Sequence, residues 1–161
     1  MEIIKITQAN DALAEMVSLF RVELRSYKGL TSKPNIEAGR EEMEEYLAAG
    51  FPVFAAMVDG EYAGYVVCRV DSEVVWVESI FVKEEYRRHG VASALHSKAE
   101  EIAASYGEDT VYNCVHPNNH RMIAFLRKRG YTVLNLIEIR KPYAGEKTTQ
   151  IIKVGENEFD Y

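Results

Sequence analysis

The residues with the clearest chemical potential stand between a β-branched segment, residues 74–82, and a helical pattern that follows Gly90. They are Arg87, Arg88, Gly90 and Ala92. The first amide N–H groups of a helix have no partner within the helix and lie at the positive end of its dipole, so they suit a phosphate. The small residues leave room for a diphosphate, and the arginines add positive charge. The pattern predicts an anion site, with a simple turn glycine beside solvated arginines as the alternative.

Cys114, His116 and His120 form a second group of potential ligands. Cys114 and His116 would share a strand face, but Pro117 interrupts the chain before His120. Zinc sites need three or four converging ligands, so we predict no metal site here. Cys114 is interpreted as a buried strand residue.

Composition limits the class of protein to which these residues belong. The chain has 161 residues, 47% of them hydrophobic and 27% charged, with a net charge of −6. Such a composition predicts one folded domain and disfavours disorder, and the acidic balance disfavours nucleic-acid binding. No apolar stretch approaches the roughly 20 residues of a membrane span, and no secretion signal is evident. The two cysteines form no disulfide framework, so we expect a cytoplasmic protein that does not bind membranes.

Apolar spacing and turn signals predict the elements that must position these residues. They are two helices, then three antiparallel strands joined by an Asp59-Gly60 hairpin, a helix, a strand, a helix and two last strands. We expect one domain over residues 1–154 and a frayed acidic tail over residues 155–161. The helices cover residues 10–24, 34–49, 91–106 and 118–129, and the strands cover residues 51–58, 61–70, 74–82, 110–115, 131–139 and 148–154. This order is typical of a mixed α/β fold with a mainly antiparallel first half.

Two motifs resemble those of the GCN5-related N-acetyltransferase (GNAT) superfamily. Residues 87–92, Arg-Arg-His-Gly-Val-Ala, match its acetyl-CoA signature Arg/Gln-x-x-Gly-x-Gly/Ala, and residues 82–86 are similar to the usual lead-in, with Glu84 in place of a common proline. Residues 119–131 are similar to its Asn-x4-Ala-x-Tyr-x3-Gly-Phe/Tyr segment. The resemblance implies a GNAT-like fold, a central, mostly antiparallel mixed sheet flanked by helices, with a V-shaped opening between its two central strands.

The resemblance also implies acetyl-CoA as the cosubstrate, with no metal. The backbone of the strand before the signature would pair with the pantetheine arm, the helix start would cradle the pyrophosphate, and an asparagine at the second motif would hydrogen-bond the cosubstrate. The residues expected to bind it are Ile80, Phe81, Val82, Arg87, Arg88, His89, Gly90, Val91, Ala92, Ser93 and Asn119.

Glu78 is the candidate catalytic residue. A protonated amine must lose a proton before it can attack a thioester, and a nearby carboxylate can accept that proton. Small-molecule acetyltransferases of the superfamily carry a similar glutamate facing the acceptor amine. An exposed strand residue, or a carboxylate paired with a neighbouring cation, is the alternative for Glu78.

One departure from the family pattern concerns the proton donor. Leu126 stands where most members carry the tyrosine that protonates the CoA sulfur. Water, Tyr112 or Tyr131 are the substitutes that we consider. The sequence thus predicts an enzyme that transfers an acetyl group directly to a primary amine of a small or peptidic, cationic acceptor. A CoA-binding sensor or interaction module without turnover is the alternative, and a homodimer through the C-terminal strands stays open.

Overall fold

The computed structural model describes all residues, 1–161, as a five-stranded sheet between helices, followed by a separate hairpin. The helices are α1 (Asp11–Ser26), α2 (Ile36–Ala48), α3 (Val91–Ser105) and α4 (His120–Lys128). The strands are β1 (Glu2–Ile6), β2 (Val53–Val58), β3 (Glu61–Asp71), β4 (Val74–Val82), β5 (Tyr112–Asn113), β6 (Ile151–Val154) and β7 (Asn157–Asp160). None of the helices is both long enough and apolar enough to cross a bilayer.

The sheet has the order β1-β2-β3-β4-β5. Its first four strands are antiparallel neighbours, and only the β4–β5 pair is parallel. The predicted mixed, mostly antiparallel sheet flanked by helices is confirmed. The β2–β3 hairpin turns at Asp59-Gly60, where both residues adopt positive φ, as a type I′ turn requires.

Helices cover both faces of the sheet because alternate strand residues point to opposite faces. On one face α1 and α2 bury a cluster that includes Leu13, Met43 and Tyr65. On the other face α3 packs Leu95 against Val66 and its neighbours. The two clusters pack on opposite faces of the central strands, which include β4.

Asn10 caps α1 by accepting a hydrogen bond from the amide of Leu13, and Asn35 caps α2 in the same way. Gly39 lets these two helices meet, because a Cβ atom at that position would collide with the carbonyl oxygen of Ala14.

The largest differences from the predicted elements lie at the two ends of the chain. The first strand, β1, was not predicted, and it pairs with β2 about fifty residues away. The predicted strand over residues 131–139 is wrong, because this segment has no regular secondary structure and pairs with no strand of the chain. Residues 157–160, expected to be frayed, form β7 against β6. Cys114, expected to be buried in a strand, is exposed just beyond β5.

Candidate active site

The central feature of the site is the divergence of β4 from β5. The two parallel strands pair only at Trp76–Tyr112 and Val77–Asn113. Beyond Val77, β4 continues to Val82 with β3 on one side and no strand on the other. The predicted V-shaped opening between the central strands is therefore confirmed.

The backbone groups that face this opening follow from the β3–β4 register. Val82 lies opposite Gly64, and the amide of Lys83 donates to the carbonyl of Ala63 at 3.0 Å. In an antiparallel ladder this arrangement marks a non-hydrogen-bonded pair, so the N–H and C=O groups of Val82 and of Ile80 point away from β3 and into the opening. The backbone of Phe81 points to β3 instead.

The end of the β4–α3 connection and the first turn of α3 present a row of backbone N–H groups that are free to bind a ligand. None of the six amide N–H groups from residue 88 to residue 93 donates a hydrogen bond within the chain. Gly90 is the N-cap of α3 with φ of 83°, and Arg88 has φ of 68°. These positive φ values turn consecutive amides outward, which is the geometry of an anion-binding concavity.

The side chains along this segment divide into two groups. Val91 is buried against the sheet, so only its backbone faces the opening, whereas Arg88 and His89 are exposed. A Cβ atom at Gly90 would meet no other atom within 4 Å. Glycine is favoured there by the backbone conformation and not by crowding from the chain itself.

Arg87 is held by neighbours on three sides. Its Nε donates to the carbonyl of Val82 at 2.8 Å, and its Nη2 donates to Glu23 Oε1 at 2.5 Å. The guanidinium also lies 5.6 Å from the centre of the Phe81 ring. Glu23 lies 3.9 Å from Arg121 of α4 as well, so this carboxylate is near cations of both the segment before α3 and α4. Sequence analysis missed Glu23, and no local pattern marks it.

Glu78 occupies a β-bulge. Val67 lies opposite Ser79 and the next residue, Cys68, lies opposite Val77, so Glu78 is the extra residue of β4. A bulge redirects a side chain, and bulges are common beside active sites. The carboxylate is about a third exposed and accepts a 3.0 Å hydrogen bond from Arg69 Nε. The cation-paired alternative for Glu78 is thus observed, and the same carboxylate remains the candidate base.

Aromatic rings extend this face of the sheet. The guanidinium of Arg69 lies 4.9 Å from the centre of the Trp76 ring, and Trp76 packs against Tyr112 at 4.7 Å. The Tyr112 hydroxyl forms no hydrogen bond within the chain. Tyr131, the other tyrosine considered as a proton donor, donates to Glu100 at 2.9 Å. Burial and this bond raise the pKa of Tyr131 to about 12, so its proton is held by Glu100.

Helix α2 contributes acidic side chains, but they differ in their partners. Glu42 is bound by Arg21 Nε at 2.7 Å and by the Tyr46 hydroxyl at 2.5 Å. Burial, with the Glu42 carboxylate as the next cause, raises the pKa of Tyr46. Exposed glutamates of the same helix line an open depression with Ala48, namely Glu41, Glu44 and Glu45. These three give that surface its negative charge.

Two further residues singled out in the sequence, Asn119 and His116, have hydrogen-bond partners within the chain. Asn119 is the N-cap of α4, and its Oδ1 accepts a 3.0 Å bond from the amide of Met122. His116 accepts at Nδ1 from the amide of Asn118 and lies 2.5 Å, through Nε2, from the Tyr161 hydroxyl. No three His, Cys, Asp or Glu side chains come together as metal ligands.

Comparison with known sequences identifies relatives with a common activity. The profile described as Acetyltransferase (GNAT) family matches residues 15–131. An N-alpha-acetyltransferase of Sulfurisphaera tokodaii is 30% identical over 114 residues, which are 60% of this chain and 64% of that protein. An N-alpha-acetyltransferase of Saccharolobus solfataricus is 28% identical over 111 residues, 61% and 65% of the two chains. The chain therefore spans less than two thirds of these relatives.

Comparison with solved structures supports the same architecture. Aminoglycoside N-acetyltransferase AAC(6')-Iy in complex with CoA superposes with a TM-score of 0.65 at 24% identity, over 87% of this chain and 93% of that one. An aminoglycoside antibiotic 6'-N-acetyltransferase from Acinetobacter haemolyticus gives a TM-score of 0.63 at 21% identity, over 89% and 99%. At these identities the likeness concerns the fold.

Proposed function

Because the chain belongs to the acetyltransferase (GNAT) family, we propose that it transfers an acetyl group from acetyl-CoA directly to a primary amine. The proposed acceptor is a small or peptidic molecule that carries positive charge. A cytoplasmic location is part of the proposal.

One observation carries the proposal for the cosubstrate. Along the chain, the opening-facing groups of Ile80 and the amide of Val82 come first, and a row of six free amides, residues 88–93, follows; the carbonyl of Val82 is taken by Arg87 Nε. An extended chain with amide groups that ends in a diphosphate matches this row, because its amides can pair with a strand edge and its phosphates with a helix start. Pantetheine and the pyrophosphate of CoA have this chemistry. Phe81 would contribute its ring and not its backbone.

The proposed reaction joins the acceptor nitrogen to the thioester carbonyl carbon and breaks the carbon–sulfur bond. Glu78 accepts the proton of the amine, directly or through water, and the amine displaces Arg69 from the carboxylate as it arrives. The thiolate takes a proton from Tyr112 or from water, since Leu126 has none to give. Tyr112→Phe should then slow turnover without changing acetyl-CoA affinity, and an unchanged rate would leave water as the donor.

Charge and aromatic rings support a cationic acceptor. Glu78 lies beside Trp76, and the exposed glutamates of α2 add negative potential on the side of the sheet that carries α1 and α2. A cleft of one sign concentrates ligands of the opposite sign. The similarity to N-alpha-acetyltransferases is a reason to try peptides with a free N-terminus first as acceptors.

Release of free thiol from acetyl-CoA tests this function directly. The acceptor panel contains peptides with free N-termini, polyamines and aminoglycosides, and the control contains no amine. We expect thiol release with at least one cationic amine and almost none without. If acetyl-CoA binds in a calorimetric titration but no amine raises thiol release, the chain is instead a CoA-binding sensor or interaction module. The leucine at position 126 favours that second function.

A further inference from the structure

Arg69, Trp76 and Tyr112 form a row across three neighbouring strands. Arg69 of β3 is paired with Trp76 of β4, and Trp76 is paired with Tyr112 of β5. Val75 and Val77, on either side of Trp76 in the chain, belong to the core between α3 and the sheet. Because alternate strand residues point to opposite faces, the indole lies on the other face, the one that α1 and α2 cover. The row is therefore on the side of the sheet that carries the exposed glutamates of α2.

Two side chains of this face hold the guanidinium of Arg69. Its Cζ lies 4.9 Å from the centre of the Trp76 ring, and its Nε donates to Glu78 Oε2 at 3.0 Å. Tyr112 packs against Trp76 at 4.7 Å and extends the aromatic surface. An indole face and a carboxylate both attract an organic cation. We call the Trp76 ring and the Glu78 carboxylate the cation site, which the chain fills with its own Arg69.

The guanidinium of Arg69 is a replaceable occupant of the cation site. One hydrogen bond joins it to Glu78, and the two side chains are 34% and 35% exposed, so the pair contributes little to stability. Arg21 on α1 is bound more firmly, because its Nε and Nη2 both donate to Glu42. A cation from solution can therefore compete with Arg69 more easily than with Arg21.

We propose that Trp76 and Glu78 bind the protonated amine of the acceptor, which takes the place of the Arg69 guanidinium. This inference rests on the proposed function and narrows its substrate class to amines that are charged at neutral pH. Arylamines and alcohols are neutral at that pH, so they gain nothing from the cation site.

Trp76 would act on binding and not on the chemical step. The ammonium gives its proton to Glu78, and the neutral nitrogen that results attacks the thioester carbonyl. The attraction to the indole ends when the charge is lost, so it stabilises the bound amine and not the transition state. Trp76 is thus a specificity-determining residue, and its loss should change KM for the amine.

Trp76 is the only tryptophan of the chain, so its fluorescence reports on the cation site without turnover. The protein without acetyl-CoA is titrated with n-butylammonium, and n-butanol is the uncharged control. The ammonium should change the emission saturably and the alcohol should not. In Arg69→Gln the midpoint should fall by at least about twofold, because the competing guanidinium is gone. Arg21→Gln, which breaks the ion pair with Glu42 instead, should keep the wild-type midpoint.

Kinetics with the best acceptor of the amine panel supply the second measurement. Trp76→Leu should raise KM for the amine about two- to fivefold, while kcat and KM for acetyl-CoA stay unchanged. Trp76→Phe should retain part of the affinity, because phenylalanine also offers an aromatic face. A purely structural tryptophan predicts a different result, in which Trp76→Leu lowers kcat and the melting temperature and leaves KM for the amine unchanged.

The outcomes separate the cation site from the proposed reaction. Equal emission changes with n-butylammonium and n-butanol, or an unchanged KM for the amine in folded Trp76→Leu, would overturn the cation site even where thiol release proves the enzyme. A saturable change with the ammonium alone, in a protein that releases no thiol with any amine, would support the cation site and overturn only the reaction.

Discussion

The carboxylate of Glu23, at the end of α1, accepts a 2.5 Å hydrogen bond from Arg87, which lies 64 residues further along the chain. Arg87 belongs to the signature expected to bind pyrophosphate, and Arg121 lies 3.9 Å from the same carboxylate. Glu23 therefore neutralises positive charge at the mouth of the opening between β4 and β5. An incoming diphosphate would compete with it.

The first prediction concerns this competition. Glu23→Gln should raise the affinity for acetyl-CoA, by less than about tenfold, because partly exposed ion pairs of this kind contribute roughly 0–1 kcal/mol. The gain should be smaller at high salt, since salt screens the added attraction. Calorimetric titration at two salt concentrations measures both effects. Glu15→Gln, in the same helix, is the control for the loss of one negative charge. A weaker affinity of Glu23→Gln for acetyl-CoA would contradict the competition.

The second prediction concerns Gly90. Gly90→Asp places a carboxylate at the start of α3, where we expect the pyrophosphate, so acetyl-CoA affinity should fall by at least about tenfold through like-charge repulsion. Gly50→Asp is a matched control, because Gly50 has φ of 75° and equal space around it but follows α2. Both variants should lose roughly 1 kcal/mol of stability from the positive φ. Equal affinities for acetyl-CoA in the two variants would remove the phosphate assignment.

The sequence predicts the elements that carry the candidate site better than it predicts the elements at the chain termini. The bounds of β4 and the start of α3 match the expectation from residue patterns, because a β-branched run and a turn glycine are strong local signals. Strand β1 is short and depends on a partner about fifty residues away, so local reasoning did not find it. Residues 131–139 have the residue pattern of a strand, but a strand also needs a partner strand, and no strand of this chain pairs with them.

Side-chain partners were the least predictable part of the site. The bulge that exposes Glu78 to Arg69 depends on the register between β3 and β4, which no residue pattern specifies. The bond between Glu23 and Arg87 likewise depends on how α1 crosses the sheet. The hydrogen bond from Tyr131 to Glu100 joins residues 31 positions apart, and no local pattern indicates it.

The third prediction concerns pH and His96, which is fully buried between α3 and β5. Its Nε2 lies 3.2 Å from Asn113 Oδ1, its Nδ1 lies 3.3 Å from Glu100, and Arg129 binds the same carboxylate. Burial lowers the pKa of His96 below its ordinary 6.5, against the raising effects of Asn113 and Glu100. As pH falls, the unfolded chain takes up this proton before the folded chain does. The contribution of His96 to the free energy of unfolding is therefore fully present above about pH 6.5, and it is lost as the pH falls from there through the lowered pKa of the folded chain.

Thermal melts between about pH 5 and pH 8 check this dependence. His96→Gln should show a shallower loss of stability toward acid than the wild type, because one group that differs between the folded and unfolded chains is gone. Burial also lowers the pKa of His116, so His116→Gln measures the second contribution in the same range. A His96→Gln profile parallel to that of the wild type would contradict the assignment.

The fourth prediction concerns Glu78 as the base. Glu78→Gln keeps size and hydrogen bonding but removes basicity, so the rate should fall most at low pH, where the acceptor arrives protonated. The defect should shrink at high pH, where free amine is abundant. Arg69→Gln breaks the same ion pair without removing the base, so it should match Glu78→Gln in stability and keep the rate. Parallel pH–rate profiles for the wild type and Glu78→Gln would reject the base role.

The most direct test of the account is the fate of the acetyl group itself. Isotope-labelled acetyl-CoA is incubated with the protein and with the best acceptor of the amine panel, and the products are identified by NMR spectroscopy. The label should appear in an amide of the acceptor, with one free thiol formed for each amide. Label that stays in acetyl-CoA, or that appears only as free acetate, would contradict it.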